Sequence, residues 1–232
     1  MKQSGREIHG TAEHAREAGN FLTALQLSEE AFLAYQEEHD LFGMGDILAS
    51  RSITFRLLFE TSKDISFLLR AKHDAMTGVE LTRTSSEKSD LIMPLYRLGQ
   101  VQEELEELSE ACNSYKESVE IFENFPPKEH NRPAVLNDMK VRMYVCEYKS
   151  GNEDALASAE NALLNLENDP EEARYTKDVW ASGGHMKLAE ALKDKDLERA
   201  QKHLQKAKQI IDMNADLKIR KVQWEKLAAS FS

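Results

Sequence analysis

The chain has 232 residues, 41% of them hydrophobic and 31% charged, with 5 prolines, 10 glycines and a formal net charge of -11. That composition is globular rather than disordered, and the acidic balance argues against nucleic acid or an anionic membrane as partner, since no basic stripe exists to neutralise phosphates. No charged start precedes an apolar run, and nowhere do about 18 apolar residues follow one another, so a soluble, cytoplasmic protein is expected.

A pair of small residues seven positions apart returns along the chain: Ala24 with Ala31, Ala111 with Ser118, Ala155 with Ala162 and Ala200 with Ala207. Seven residues make about two helical turns, so both members share a face, and side chains that small let a neighbouring helix come close. The spacing predicts an array of helix pairs, read as one continuous domain over 1–232. The first pair spans about 4–38. Gly19 ends its first helix, Asn20 is placed to cap the second, and Phe21, Ala24, Leu25, Ala31 and Phe32 form its apolar stripe. His39 and Asp40 close the unit.

The second pair, about 41–82, turns at Ser62, Lys63 and Asp64, with Asp64 placed to cap the helix carrying Ile65, Leu68, Leu69 and Ala75. Ile53, Phe55, Leu57, Leu58 and Phe59 are too many for a single stripe and are expected to be buried between neighbours on both sides. Residues 83–90 read as a polar connector. The third pair, about 87–125, holds Pro94 in an early helical turn, where a missing amide donor costs least.

Residues 125–133 are the most loop-like of the chain, and Pro133 suits a helix start. The fourth pair, about 133–167, breaks at Ser150, Gly151 and Asn152, and the fifth, about 172–212, breaks at 193–196. A last helix, about 215–231, carries Leu217, Val222, Trp224, Leu227 and Phe231 and is expected to cap the array. Its apolar face leaves a monomer or a homodimer through this helix open. Cys112 and Cys146 make neither a disulfide framework nor a zinc site, and are expected as buried reduced thiols.

Leu98-Gly99, Ala111, Tyr115, Ser118 and Pro126 match, in order, the pattern of the tetratricopeptide repeat (TPR), a helix-turn-helix of about 34 residues. Gly19-Asn20-Phe21 followed by Ala24 and Ala31 repeats the family's turn and its two small residues. Asp196, Leu197, Ala200 and Ala207 do so again, and Trp180 with Gly184 has the spacing of the family's first tryptophan and glycine. The second unit departs, with Leu68 where an alanine is expected. The chain thus resembles a divergent TPR-like protein. The resemblance implies an all-α, right-handed TPR-like α-solenoid of about five helix pairs plus a C-terminal capping helix, with first helices lining a concave groove. It also implies a non-catalytic protein-protein interaction module that holds a peptide or partner segment there. From the net charge, that partner is expected to be basic or neutral. A ligand- or peptide-responsive regulatory sensor is the alternative.

In that register the groove is lined by Arg6, His9, Glu13 and Arg16, then Ser50 and Thr54, then Tyr96, Arg97, Gln100 and Glu103, then Lys140, Tyr144 and Glu147. Tyrosine and arginine weigh heavily in such surfaces because they bury large areas and still hydrogen-bond at the tip. Arg97 and Lys140 are the candidates for meeting an acidic group. Relatives that grip a C-terminal carboxylate do so with lysines and asparagines. His9 and Glu13 stand in the corresponding first-helix places, and Glu13 would repel such a group.

Catalytic patterns are absent from the sequence. His9 and His14, five apart, are turned about 140° from one another on a helix. His73, His130, His185 and His203 read as scattered. The acidic run 103–110 reads as a solvated face. The glycines at 43–45 and 182–184 lack the preceding strand and following lysine of a phosphate loop. Gly183 and Gly184 are expected to allow close helix contact or to bend a helix. No catalytic residue, metal ligand or cofactor is assigned, and the protein is not expected to be an enzyme.

Overall fold

In the computed structural model, which describes residues 3–128 and 131–231, helices begin where a side chain can satisfy the first unpaired backbone amides. Helix α1 (Gly5–Glu17) opens on a capping box, in which the Ser4 hydroxyl accepts from the Glu7 amide at 3.3 Å and the Glu7 carboxylate accepts from the Ser4 amide at 2.9 Å. Asp40 accepts from the Gly43 amide at the start of α3 (Leu41–Ser62), and Asp64 from the Ser66 amide at the start of α4 (Ile65–Arg83). The expected cap at α2 (Phe21–Glu37) is not made. Asn20 contributes no side-chain hydrogen bond there, and the turn is carried instead by Gly19 at φ +79°.

A 3-10 turn, Lys88–Leu91, shortens the irregular connector and leads into α5 (Ile92–Glu104), with Pro94 in its first turn. Glu106, at φ +62°, makes the break before α6 (Leu108–Asn124). Helix α7 (Pro133–Lys149) has Pro133 at its first position and is followed by α8 (Ala155–Glu167) and α9 (Arg174–Leu192). Then come α10 (Leu197–Asp212), capped by Asp196, and α11 (Lys218–Ala229). Among the described residues there is no strand. The sequence reads as one array, whereas the packing divides into two compact units, Met1–Pro127 with α1–α6 and Lys128–Ser232 with α7–α11.

In the first unit α1 pairs with α2, α3 with α4 and α5 with α6, and the first helices α1, α3 and α5 also touch in succession. Ala24, Ala31, Ala111 and Ser118 are all buried at these contacts. The α1–α2, α2–α3 and α5–α6 contacts are each keyed by an aromatic ring against bare backbone. A Cβ on Gly5 or Gly43 would lie 2.6 or 2.3 Å from the Tyr35 ring, and one on Gly99 would lie 2.7 Å from that of Tyr115. The Leu-Gly of the third unit thus exists to seat Tyr115. Leu68 is fully buried in the small residue's place. The broad apolar face of α3 is only partly buried: Phe55 reaches the core, while Ile53, Leu57, Leu58 and Phe59 are half-buried.

The second unit packs α7 on α8 and α9 on α10, with α9 also touching α7, α8 and α11. Its core contains Val141, Val145, Leu163, Leu166, Leu188 and Leu192, together with Ala155, Ala159, Ala162 and Ala200. A Cβ on Gly184 would stand 2.9 Å from Leu163, so this glycine serves close helix contact. Helix α11 docks on its own unit. Leu217 is buried, the Trp224 indole donates to the Leu204 carbonyl at 2.9 Å, Arg220 donates to the Val179 carbonyl at 3.0 Å, and Phe231 lies against the core. Val222, expected on that docking face, points outward at 64% exposure. The expectation of reduced cysteines is corrected, since no free thiol stands among the described residues.

The burial of the small residues makes a direct forecast. Ala24→Leu is expected to overpack the α1–α2 contact and lower stability by about 1–3 kcal/mol, whereas Gln26→Leu, on the exposed side of the same helix, is expected to stay within about 0.5 kcal/mol. Urea unfolding of the two variants compares them, and equal losses would reject the register.

Candidate interaction surface

The first-helix face of unit Met1–Pro127 is built from polar side chains that bond across helices. On α1, His9 is 8% exposed, with Nδ1 3.3 Å from the Tyr35 hydroxyl and 3.8 Å from Asp46. Burial, reinforced by the nearby carboxylates of Asp46, Asp40 and Glu38, pushes the Tyr35 phenol up to about 12, so it remains an O–H group. Arg16 reaches α3, donating to the Ser50 hydroxyl at 2.7 Å and its carbonyl at 3.3 Å, and also to Glu13 at 3.3 Å. From α3, Arg56 reaches α5, donating to Gln100 at 2.7 Å and to Glu104 at 3.0 Å. Arg97 donates to the same Gln100 oxygen at 3.1 Å and lies 5.4 Å over the Tyr96 ring.

This network corrects several assignments. Tyr96 and Gln100 are each 3% exposed, and Thr54 and Glu103 are buried too, so none of the four presents a surface. Tyr96 packs its ring 5.7 Å from that of Tyr115, and Glu103 accepts from the Tyr115 hydroxyl at 3.1 Å. Gln100 is held under the guanidinium groups of Arg56 and Arg97. Arg6 is exposed, and Glu13 and Arg97 are partly so. The acidic run is a solvated face only in part, with Glu106 and Glu110 exposed but Glu103, Glu104 and Glu107 drawn into contacts. Glu104 pairs with Arg56 and Glu107 with Lys72 at 2.6 Å, and the second carboxylate oxygen of each is buried with no hydrogen-bond partner.

In unit Lys128–Ser232, Lys140, Tyr144 and Glu147 follow one another along α7 and are half-buried. Tyr144 rests against the core, and Glu147 accepts from the Asn152 side chain at 3.2 Å. The histidines are less scattered than their spacing suggests. His14 is exposed on the side of α1 away from His9, His73 is exposed, and His130 lies outside the described residues. His185 of α9 and His203 of α10, however, meet with their Nδ1 atoms 2.8 Å apart. His185 Nε2 lies 2.9 Å from Glu167, and His203 Nε2 lies 3.1 Å from Glu160, which Arg199 also grips. Among the described residues no cluster of three metal-ligating side chains occurs, and no helix is long and apolar enough to cross a membrane.

No protein-family model and no curated protein matches the sequence. Solved structures do match. BtubC (BKLC) from P. vanneervenii aligns over 90% of this chain and 80% of its own at 17% identity, with a TM-score of 0.63. A kinesin-light-chain-type protein of Podosopora anserina with nearly identical TPR-like repeats aligns over 90% of this chain and 97% of its own at 14% identity, with a TM-score of 0.57. A single-substitution variant of that protein covers 91% of this chain and 97% of its own at 13% identity, with a TM-score of 0.59. The chain has the TPR-like α-solenoid fold.

At these identities the likeness establishes the fold alone. Within a TPR-like hairpin the contacts missed from the sequence had a legible signal. The two helices run antiparallel about a short break, so residues equidistant from that break face one another. His185 and His203 each stand nine residues from Asp194 in the 193–196 break.

Proposed function

We propose that this TPR-like protein is an interaction module that holds a basic or neutral peptide or partner segment against its first helices. Arg6, Glu13 and Arg97 offer contacts in the first unit, and Lys140, Tyr144 and Glu147 in the second. The observation that carries this reading is the bonding that fixes the side chains of this face, Arg16 to Ser50 and Arg56 to Gln100 across helices and Arg97 to Gln100 within α5. Side chains fixed in this way lose little rotamer freedom when a partner arrives, which lowers the cost of association. The partner's character follows from the net charge of -11. His9 and Tyr96, buried as they are, act by shaping the wall from behind.

A photo-crosslinking amino acid placed at Glu13 or at Arg97 is expected to trap a discrete partner adduct. The same group at Gln26, exposed on the second helix α2, is expected to trap none. Adducts of equal yield and identity from all three positions would reject the assignment of the first-helix face.

A further inference from the structure

The meeting of His185 and His203 poses a proton count that the rest of the unit does not. Both rings turn Nε2 toward a carboxylate, His185 to Glu167 and His203 to Glu160, so both Nε2 atoms carry hydrogen. Were both rings neutral, two bare Nδ1 lone pairs would face each other at 2.8 Å, which is repulsive. One further proton must lie between them. We propose that His185 carries this proton and donates it from Nδ1 to His203, making an acid-labile clasp between α9 and α10.

The surroundings choose His185 over His203. Glu160 is already gripped by Arg199, whose charge opposes a second cation on His203. Glu167 has His185 as its hydrogen-bonding partner, with Lys206 and His203 acting on it through space, and that bond holds its carboxyl below the usual range. An imidazolium at His185 is thus balanced at 2.9 Å. The side chains of the pair are 7% and 13% exposed, so bulk water does little to screen them. The charges acting on His203 and Glu167 are Glu160 from α8, Arg199 and Lys206 from α10, and the two rings themselves.

The acid response follows from the same geometry. Burial first, and then the charge of His185, lower the His203 imidazole below its ordinary value of 6.5, despite the opposing pull of Glu160. In the unfolded chain this ring takes up a proton near its ordinary value, while the folded chain resists it. The folded state therefore loses stability as pH falls from 6.5 toward the lowered value. Once His203 is protonated, both Nδ1 atoms carry hydrogen, no acceptor remains between them, and the clasp opens.

Imidazole nitrogen NMR of the full chain at neutral pH is expected to show His185 protonated on both nitrogens and His203 on Nε2 alone. Thermal unfolding of the wild type is expected to show a midpoint that falls as pH drops below the ordinary imidazole value of 6.5. In His203→Gln, whose amide oxygen accepts from His185 and never titrates, that part of the fall is expected to disappear. A wild-type fall retained in full by His203→Gln, or two neutral rings in the NMR spectrum, would overturn the proposal. The NMR measurement needs only the native chain and decides the matter even if the variant misfolds.

Discussion

Replacing Gly78 with valine is expected to lower stability by about 3 kcal/mol, among the largest losses any single glycine substitution should cause here. A Cβ at this position would stand 2.8 Å from the Gly45 carbonyl oxygen and 3.7 Å from the Ala49 amide. Both obstacles are backbone, which no rotamer change can move, so α3 and α4 would have to separate. Gly45 faces the same constraint from the other side, with a Cβ there 2.5 Å from the Thr82 methyl and 3.0 Å from the Gly78 oxygen. Gly10 supplies the control. It is helical too, but nothing lies within 4 Å of its Cβ position. Gly10→Ala is expected to stabilise by up to about 1 kcal/mol, through helix propensity alone. Urea unfolding followed by circular dichroism reads both, and a common sign for the two variants would show that the α3–α4 approach is not the constraint.

Tyr115→Ala is expected to cost about 4 kcal/mol, because this side chain is fully buried and fills the space that Gly99 leaves between α5 and α6. The ring also supports Tyr96 at 5.7 Å, so its removal loosens two layers at once. Tyr115→Phe keeps the ring and removes only the hydroxyl that donates to Glu103 at 3.1 Å. That change is expected to cost about 1 kcal/mol, since Glu103 is itself buried and loses a donor. Thermal unfolding of the two variants separates packing from hydrogen bonding. Equal midpoints would show that the ring contributes nothing beyond its hydroxyl.

Helix limits were legible in the sequence because their causes are local. Asp64, Asp196, Gly19, Gly151 and Pro133 each act within a few residues of a turn. The small pairs were legible for a related reason: two turns of one helix fix their common face, and all eight residues are buried. The surface was less legible. Periodicity puts Tyr96, Arg97 and Gln100 on α5, yet it carries no information about Arg56, which arrives from α3 and covers Gln100. The acidic run misled in the same way. Lys72 and Arg56, both distant in sequence, turn Glu107 and Glu104 from solvated carboxylates into interhelix partners. What a helix face buries is decided by the neighbouring helix, and a single helix pattern cannot show it.

The most direct test of the proposed role is side-chain oxidation footprinting with and without the partner recovered by cross-linking. Oxidation of Tyr144 and of the first-helix segments around Glu13 and Arg97 is expected to fall on binding. Oxidation of Leu22, Leu69 and Leu164, all exposed on second helices, is expected to be unchanged. Protection confined to Leu22, Leu69 and Leu164 would place the partner on the opposite helices and contradict the proposal.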